Sequence, residues 1–364
     1  MSRPLPSVYD LAPEALWLPD GEPDYRREQI ARWLYRRGVQ SFDAMTNLPR
    51  SLRSALAAQL RLSPYQAVQR FPSRDGSVRY LFTLADGLRT EAVYMPYAGR
   101  RTVCVSSMVG CPAGCAFCAT GALGFGRNLG RGEIVGQLLA VAAGEGVAPV
   151  DIRNVVLMGM GEALLNYDNA VAAVRTLVSP AALDLSPRRI TLSTVGLPSR
   201  IRRLAGESLP LVLALSLHAP DDETRRRIIP TAHAYGVADI MAAVRAYQEA
   251  TGRRVSIEYT LLAGVNDDVA RARALAELLA GLKSHVNLIP FNRWPGSGFD
   301  ESSPGVTERF RAELERHRIP VSVRFSRGRD AGGACGQLAL RERGRDGPAV
   351  AVTGAPEGPG QSRP

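Results

Sequence analysis

Three of the chain's five cysteines, Cys111, Cys115 and Cys118, fall within the nine residues Gly110-Cys111-Pro112-Ala113-Gly114-Cys115-Ala116-Phe117-Cys118, in the spacing C-x3-C-x2-C. The first residues, Met1-Ser2-Arg3-Pro4-Leu5-Pro6, have no apolar signal-peptide core. Thiols clustered this closely in such a chain point to soft-metal or iron–sulfur ligation rather than to disulfides. A cysteine-only donor set also argues against hard cations. Three thiolates are one short of a closed centre. A structural zinc needs a fourth Cys or His, which Cys104 or Cys335 could supply, whereas an iron–sulfur cubane with three protein ligands leaves one iron open. A trio of buried thiols that ligates nothing is the remaining reading.

Length and charge bound the rest. At 364 residues the chain can bury a sizeable core, as two or three domains or as one large barrel with appendages. No apolar run approaches the roughly 18 residues of a membrane span, which predicts a soluble cytoplasmic protein with no membrane partner. The formal net charge of +10 favours a polyanionic partner such as RNA. That inference is tempered by composition, because Lys283 is the sole lysine and the Arg, Ala, Gly and Pro content fits a GC-rich coding bias.

The elements that must carry the cysteines follow from periodicity. A helix is predicted from Pro23 to about Arg37, with Ile30, Trp33 and Leu34 at helical spacing and Gly38 as its stop. A second runs from about Pro49 to Leu60 on a Leu52, Leu56, Leu60 stripe. Trp33, Tyr35 and Phe42 could stack on bases, but aromatics at such spacing are read first as core. Short strands follow: Val78–Leu84 and Arg89–Tyr94, with Asp75-Gly76 and Asp86-Gly87 as turns.

From Thr102 onward, apolar runs at Thr102–Ser106, Asn154–Met158, Arg189–Ser193, Leu211–Leu217, Val255–Leu261 and Val286–Pro290 alternate with helical patterns. The helical patterns are Glu133–Ala143, Asp168–Val178, Ser199–Ala205, Val237–Ala250, Asp267–Leu282 and Thr307–His317. Six such units predict an α/β fold built as a partial (β/α)6 barrel. The predicted organisation is a small helical N-terminal accessory domain (1–66), a short β-hairpin extension (67–101), the barrel (102–340) and a disordered, Gly-, Pro- and charge-rich tail (341–364).

In a parallel barrel, functional groups collect where strands end. The cysteine loop follows the first strand, and Gly159-Met160-Gly161-Glu162 follows the second. Ser193-Thr194 ends the third, Ser216-Leu217-His218 the fourth, and Pro290 to Asn292 the sixth. Any one of these is weak alone. Five on successive strand ends predict a site.

The cysteine spacing, with Phe117 before the last ligand, resembles the signature of radical S-adenosylmethionine (SAM) enzymes. Within that superfamily, Val105–Cys111, Gly124-Phe125-Gly126-Arg127-Asn128-Leu129, Gly159–Glu162, Ser216-Leu217-His218-Ala219-Pro220, Val286–Asn292 and Ala334-Cys335-Gly336-Gln337-Leu338 resemble the RlmN/Cfr class of RNA adenine methyltransferases. The similarity spans about Asp24 to Leu340, and it departs at Ala163, where relatives carry proline, and in the glycine-rich loop Arg329–Gly333.

The resemblance implies a radical SAM barrel and a 4Fe-4S cluster on Cys111, Cys115 and Cys118, with SAM on the open iron. It implies SAM contacts from Gly161, Glu162, Ser193, Ser216, Leu217, His218 and Asn292. Cys335 would take a methyl from a first SAM as S-methylcysteine. A radical from a second SAM would abstract hydrogen from that methyl, the carbon would add to adenine, and Cys104 would resolve the adduct through a transient Cys104–Cys335 disulfide. Glu91 would serve as proton acceptor or substrate contact. The implied reaction is methylation at C2 of an adenine in 23S rRNA at the peptidyl-transferase centre and in tRNA beside the anticodon, by a monomer fed by a donor such as flavodoxin. Methylation at C8, as by Cfr-type relatives, and a non-catalytic zinc-stabilised RNA-binding module are the alternatives.

Overall fold

The computed structural model describes residues 5–328 and 336–343. Cys335, with it the Cys104–Cys335 pairing, the Arg329–Gly333 loop and residues 344–364 of the predicted tail lie outside the described residues, while the tail's first three residues, 341–343, are not disordered but continue the helix Gln337–Arg343.

The N-terminal segment is helical where its periodicity predicts. Tyr25–Ala31 is followed directly by a wider-wound turn, Arg32–Arg37, that ends at Gly38, and a second helix spans Arg50–Gln59 behind Pro49. Ile30, Leu34, Leu52 and Leu56 are buried on one core, each such side chain stabilising by roughly 1.5–3 kcal/mol. Tyr35 and Phe42 are core residues too, so neither is free to stack on a base. Trp33 is half-buried, with the Arg37 guanidinium 4.2 Å from its ring.

Twelve strands are described. They are β1 (Tyr65–Pro72), β2 (Val78–Leu84), β3 (Arg89–Tyr97), β4 (Arg100–Cys104), β5 (Met108–Gly110), β6 (Phe125–Asn128), β7 (Ile152–Leu157), β8 (Ile190–Thr194), β9 (Val212–Ser216), β10 (Val255–Leu261), β11 (Ser284–Pro290) and β12 (Val321–Val323). Ten form one sheet in the order β1-β2-β3-β4-β7-β8-β9-β10-β11-β12, and β5 pairs with β6 in a separate ribbon. From β4 to β12 every pairing is parallel, while β1 to β4 are antiparallel. The six predicted barrel strands are β4 and β7 to β11. Helices Arg131–Gly144, Tyr167–Val178, Pro198–Ala205, Val237–Thr251, Val269–Leu278 and Pro304–Arg316 come between and after them, as the chain pattern predicts.

The result is a mixed α/β fold whose parallel sheet is an open, partial barrel. Among the described residues β1 and β12 are its two edges. The parallel strands alternate more than a sheet buried on both faces would. In β8, Ile190, Leu192 and Thr194 are buried while Thr191 and Ser193 are half-buried and line an interior cavity. The outward face packs on helices and the inward face is polar, which a solid barrel core would not tolerate.

Candidate active site

The strand ends converge on one cavity of about 570 Å³, a volume typical of small-ligand sites. It is lined by Cys104 at the end of β4, by Cys111, Cys115 and Cys118 from the loop after β5, and by Gly161 and Glu162 after β7. Ser193, Ser216, His218 and Asn292 line it from β8, β9 and the segments after β9 and β11. Leu217 does not reach it. Its side chain is fully buried in the core, so only its backbone is placed at the strand end.

Local structure explains why the cysteine loop sits here. Ribbon β5–β6 closes at Gly110, where φ is +69° and a Cβ would lie 1.8 Å from the Gly124 carbonyl oxygen, so only glycine fits. The Cys111 N–H then donates to that same carbonyl at 2.9 Å, and Ala116 N–H donates to Ile228 O at 2.9 Å, pinning the loop at both ends. Phe117 packs edge-on against the His218 ring at 4.9 Å, and Trp294 Nε1 donates to Phe117 O at 3.1 Å.

The three thiols share an electrostatic problem. Burial pushes the Cys111 thiol up to about 12 and Cys115 well above its ordinary value, and the neighbouring Cys118 and Glu162 push both further. Desolvated thiols that repel one another as thiolates are stabilised by a bound cation. Among the described residues no group of three or more His, Cys, Asp or Glu side chains is gathered to hold a single metal ion. A cubane makes no such demand, because each of the three cysteines would hold an iron of its own. The donor chemistry therefore fits an iron–sulfur cluster.

Around the thiols the remaining polar groups are fixed. Gly161, at φ +101°, brings the backbone so close to Met108 that a Cβ would meet its side chain at 2.6 Å. Glu162 is buried, its Oε2 accepting Val195 N–H at 2.7 Å and its Oε1 accepting Leu164 N–H at 3.1 Å, and burial raises its carboxyl to about 7. Ser193 Oγ donates to Leu157 O at 3.0 Å. Asn292 Nδ2 donates to Gln337 Oε1 at 3.0 Å and Gln337 Nε2 donates to the Asn292 backbone carbonyl at 3.1 Å, which brings the helix Gln337–Arg343 to the cavity rim.

His218 holds a left-handed backbone, φ +58°, rare for a non-glycine residue and typical of functional sites. Its Nδ1 accepts Thr260 N–H at 3.0 Å, so the ring is neutral, and burial with the nearby Arg225 charge lowers it to about 3. The unfolded chain takes up this proton near pH 6.5 and the folded chain does not until about pH 3. Stability contributed here is thus complete above 6.5 and declines as pH falls toward 3. A His218→Asn variant keeps an acceptor for Thr260 N–H without the titration. Its urea midpoint is expected to fall less steeply than wild type over that window, and equal slopes would refute the assignment.

Two buried arginines beside the cavity escape local sequence reasoning. Arg225, on the helix Asp222–Ile228, is 1 % exposed, donates to the Val195 carbonyl and to Leu217 O at 3.2 Å, and places a guanidinium in the field of Cys115. It ties together the loops after β8 and β9. Arg79 on β2 lines the cavity and is 3 % exposed. Its only sequence signal is a cation inside the apolar run Val78–Leu84. Glu91, by contrast, is buried on β3 and is not among the cavity-lining residues.

Comparison with known proteins agrees with this geometry. Residues 105–276 match the Radical SAM superfamily, and residues 14–62 match the ribosomal RNA large subunit methyltransferase N-terminal domain. A probable dual-specificity RNA methyltransferase RlmN from Thermus thermophilus is 60% identical over 340 residues, 93% of this chain and 95% of the relative. The corresponding protein from Deinococcus deserti is 57% identical, covering 93% and 97%. The crystal structure of a radical SAM methyltransferase from Sphaerobacter thermophilus superposes with a TM-score of 0.87 at 44% identity, covering 93% of this chain and all of that one. The chain belongs to the RlmN family of radical SAM RNA methyltransferases, whose cofactors are a 4Fe-4S cluster and SAM.

Proposed function

We propose that the chain methylates C2 of an adenine in 23S rRNA at the peptidyl-transferase centre and in tRNA next to the anticodon, in the cytoplasm, using two SAM molecules and an S-methylcysteine at Cys335. The carrying observation is that one cavity gathers the three cluster cysteines, Glu162, Ser193, Ser216, His218 and Asn292 together with Cys104. This is the set expected if SAM and a thiol chemistry share a chamber.

When bound, the cluster supplies the electron that cleaves SAM and so opens radical chemistry at a carbon that polar methyl transfer cannot reach. Adenine C2 is an electron-poor amidine carbon with no nucleophilic character. Cys111, Cys115 and Cys118 would hold three irons. Glu162, with Gly161 giving close backbone approach, would take the SAM amino group, its carboxylate already oriented by Val195 and Leu164 N–H. Ser193, Ser216, His218 and Asn292 would hold the carboxylate, ribose or adenine. Cys335 would carry the methyl as a thioether. Cys104, buried at the end of β4 and facing the same cavity, would resolve the protein–RNA adduct by a transient disulfide with Cys335. A small reductant of the flavodoxin type would supply electrons to a monomeric enzyme. No helix among the described residues is long and apolar enough to cross a membrane.

Nucleoside mass spectrometry of RNA treated with the cluster-loaded enzyme tests the regiochemistry. The expected product is 2-methyladenosine in both rRNA and tRNA substrates. Recovery of 8-methyladenosine instead would assign the Cfr-type reaction, and unmodified tRNA would restrict the substrate to rRNA.

A further inference from the structure

Two described stretches flank residues 329–335, and both are fastened to one buried ion pair. Arg79 on β2 and Glu91 on β3 are each 3 % exposed, with Arg79 Nη1 3.3 Å from Glu91 Oε2. On the N-terminal side, Arg79 Nη2 donates to Arg327 O at 3.2 Å. The same stretch is held by Gly328 N–H on Asp75 Oδ2 at 3.0 Å and by the Arg327 guanidinium 4.7 Å from the Tyr97 ring. On the C-terminal side, Glu91 Oε1 accepts Ala339 N–H at 2.5 Å, and the Gly336 N–H also bonds to this carboxylate. Leu338 is fully buried against Leu81 and Met160, and a Cβ on Gly336 would lie 2.7 Å from Thr120 N. The residue after Cys335 is therefore pressed onto the cysteine loop, two positions past Cys118.

These contacts leave Glu91 little capacity for substrate. Oε2 faces the Arg79 guanidinium, Oε1 accepts Ala339 N–H, the carboxylate also takes the Gly336 N–H, and the group is not among the cavity-lining residues. A proton acceptor must reach the proton it takes, directly or through one water. A buried carboxylate saturated by fixed donors is instead a mechanical tie whose removal strands the donors.

We propose that Arg79 and Glu91 are a positioning pair that fixes the chain on both sides of Cys335, and that Glu91 acts by accepting backbone N–H groups, not by taking a proton from substrate. This rests on Cys335 as the methyl carrier. In the step concerned, the Cys335 thiolate forms a C–S bond to the SAM methyl as the sulfonium C–S bond breaks; S-adenosylhomocysteine leaves and the thiol proton goes to solvent. In-line attack depends steeply on where the sulfur is held, so loosening either flank slows it.

The test is the rate of S-methylation of Cys335 in the cluster-loaded full chain with SAM and no RNA, read by peptide mass, with cluster absorbance and reductive SAM cleavage read in parallel. Glu91→Ala is expected to slow S-methylation more than tenfold. Glu91→Gln keeps an acceptor oxygen for Ala339 N–H and is expected to stay within about tenfold of wild type, the equivalent of roughly one net hydrogen bond. Arg79→Lys keeps a charge for Glu91 but cannot fork to Arg327 O as well, and is expected to slow the step several-fold. SAM cleavage should change less than twofold in all three. If Glu91→Ala fails to hold its cluster, the comparison of Glu91→Gln with Arg79→Lys decides alone. Wild-type S-methylation in every variant with RNA product lost in both Glu91 variants would overturn the proposal in favour of a proton acceptor, as would Glu91→Gln as slow as Glu91→Ala. A wild-type chain that never methylates Cys335 would strike the methyl-carrier reading itself.

Discussion

Cys335→Ala is expected to leave the chain brown and able to cleave SAM, yet to put no methyl on either protein or RNA. Removing a covalent nucleophile abolishes the route that depends on it, so the RNA product should fall by at least about three orders of magnitude. Among the described cavity-lining residues Cys104 is the one thiol outside the cluster motif, and its position at the end of β4 is set by pairing with Val93 on one side and Val156 on the other. The measurement is paired mass spectrometry of the protein and the RNA after turnover. Methylated RNA from the variant at even a few per cent of wild type would refute the S-methylcysteine route while leaving the cluster assignment intact.

Cys115→Ala is the second large effect, and it divides the outcomes differently. Burial pushes the Cys115 thiol well above its ordinary value, and it carries the Arg225 guanidinium in its field. Losing it removes a ligand from a set that already holds the minimum for an open cubane. The broad absorption near roughly 400 nm that thiolate-ligated iron–sulfur centres show should disappear, and with it SAM cleavage and all RNA methylation. Because cluster binding is coupled to folding, the variant should also melt at lower temperature than the loaded wild type. A wild-type protein that is colourless and holds one zinc per chain would sink the radical reading altogether.

Much of this architecture is legible in the chain. All six barrel strands fall within two residues of their predicted limits at either end, and Val255–Leu261 matches at both. This succeeds because each inward and outward face follows a period that composition exposes. The elements missed are short or polar. Ribbon β5–β6 has no apolar stripe, β12 has three residues, and the helix Asp222–Ile228 is mostly charged, so none carries enough buried apolar surface to leave a pattern. Site residues were legible through motif resemblance where they lie on strand ends. The Arg79–Glu91 pair was not, because its meaning depends on backbone groups 248 positions away in sequence, at Arg327 and Ala339. A strand glutamate looks the same from sequence whether it faces a substrate or a peptide N–H.

The hairpin strands are continuous with the catalytic sheet, since β3 pairs with β4 over five residues and β4 with β7 over four. Mechanically this is a weld, not a hinge. The helices before β1 join the same body through packing, since Ile30, Leu34, Leu52 and Leu56 share one buried core with Tyr65, Phe82 and Val103. Accessory helices, hairpin and the strand that ends in Cys104 thus share one frame, so a strain placed on any of them is felt at that strand end.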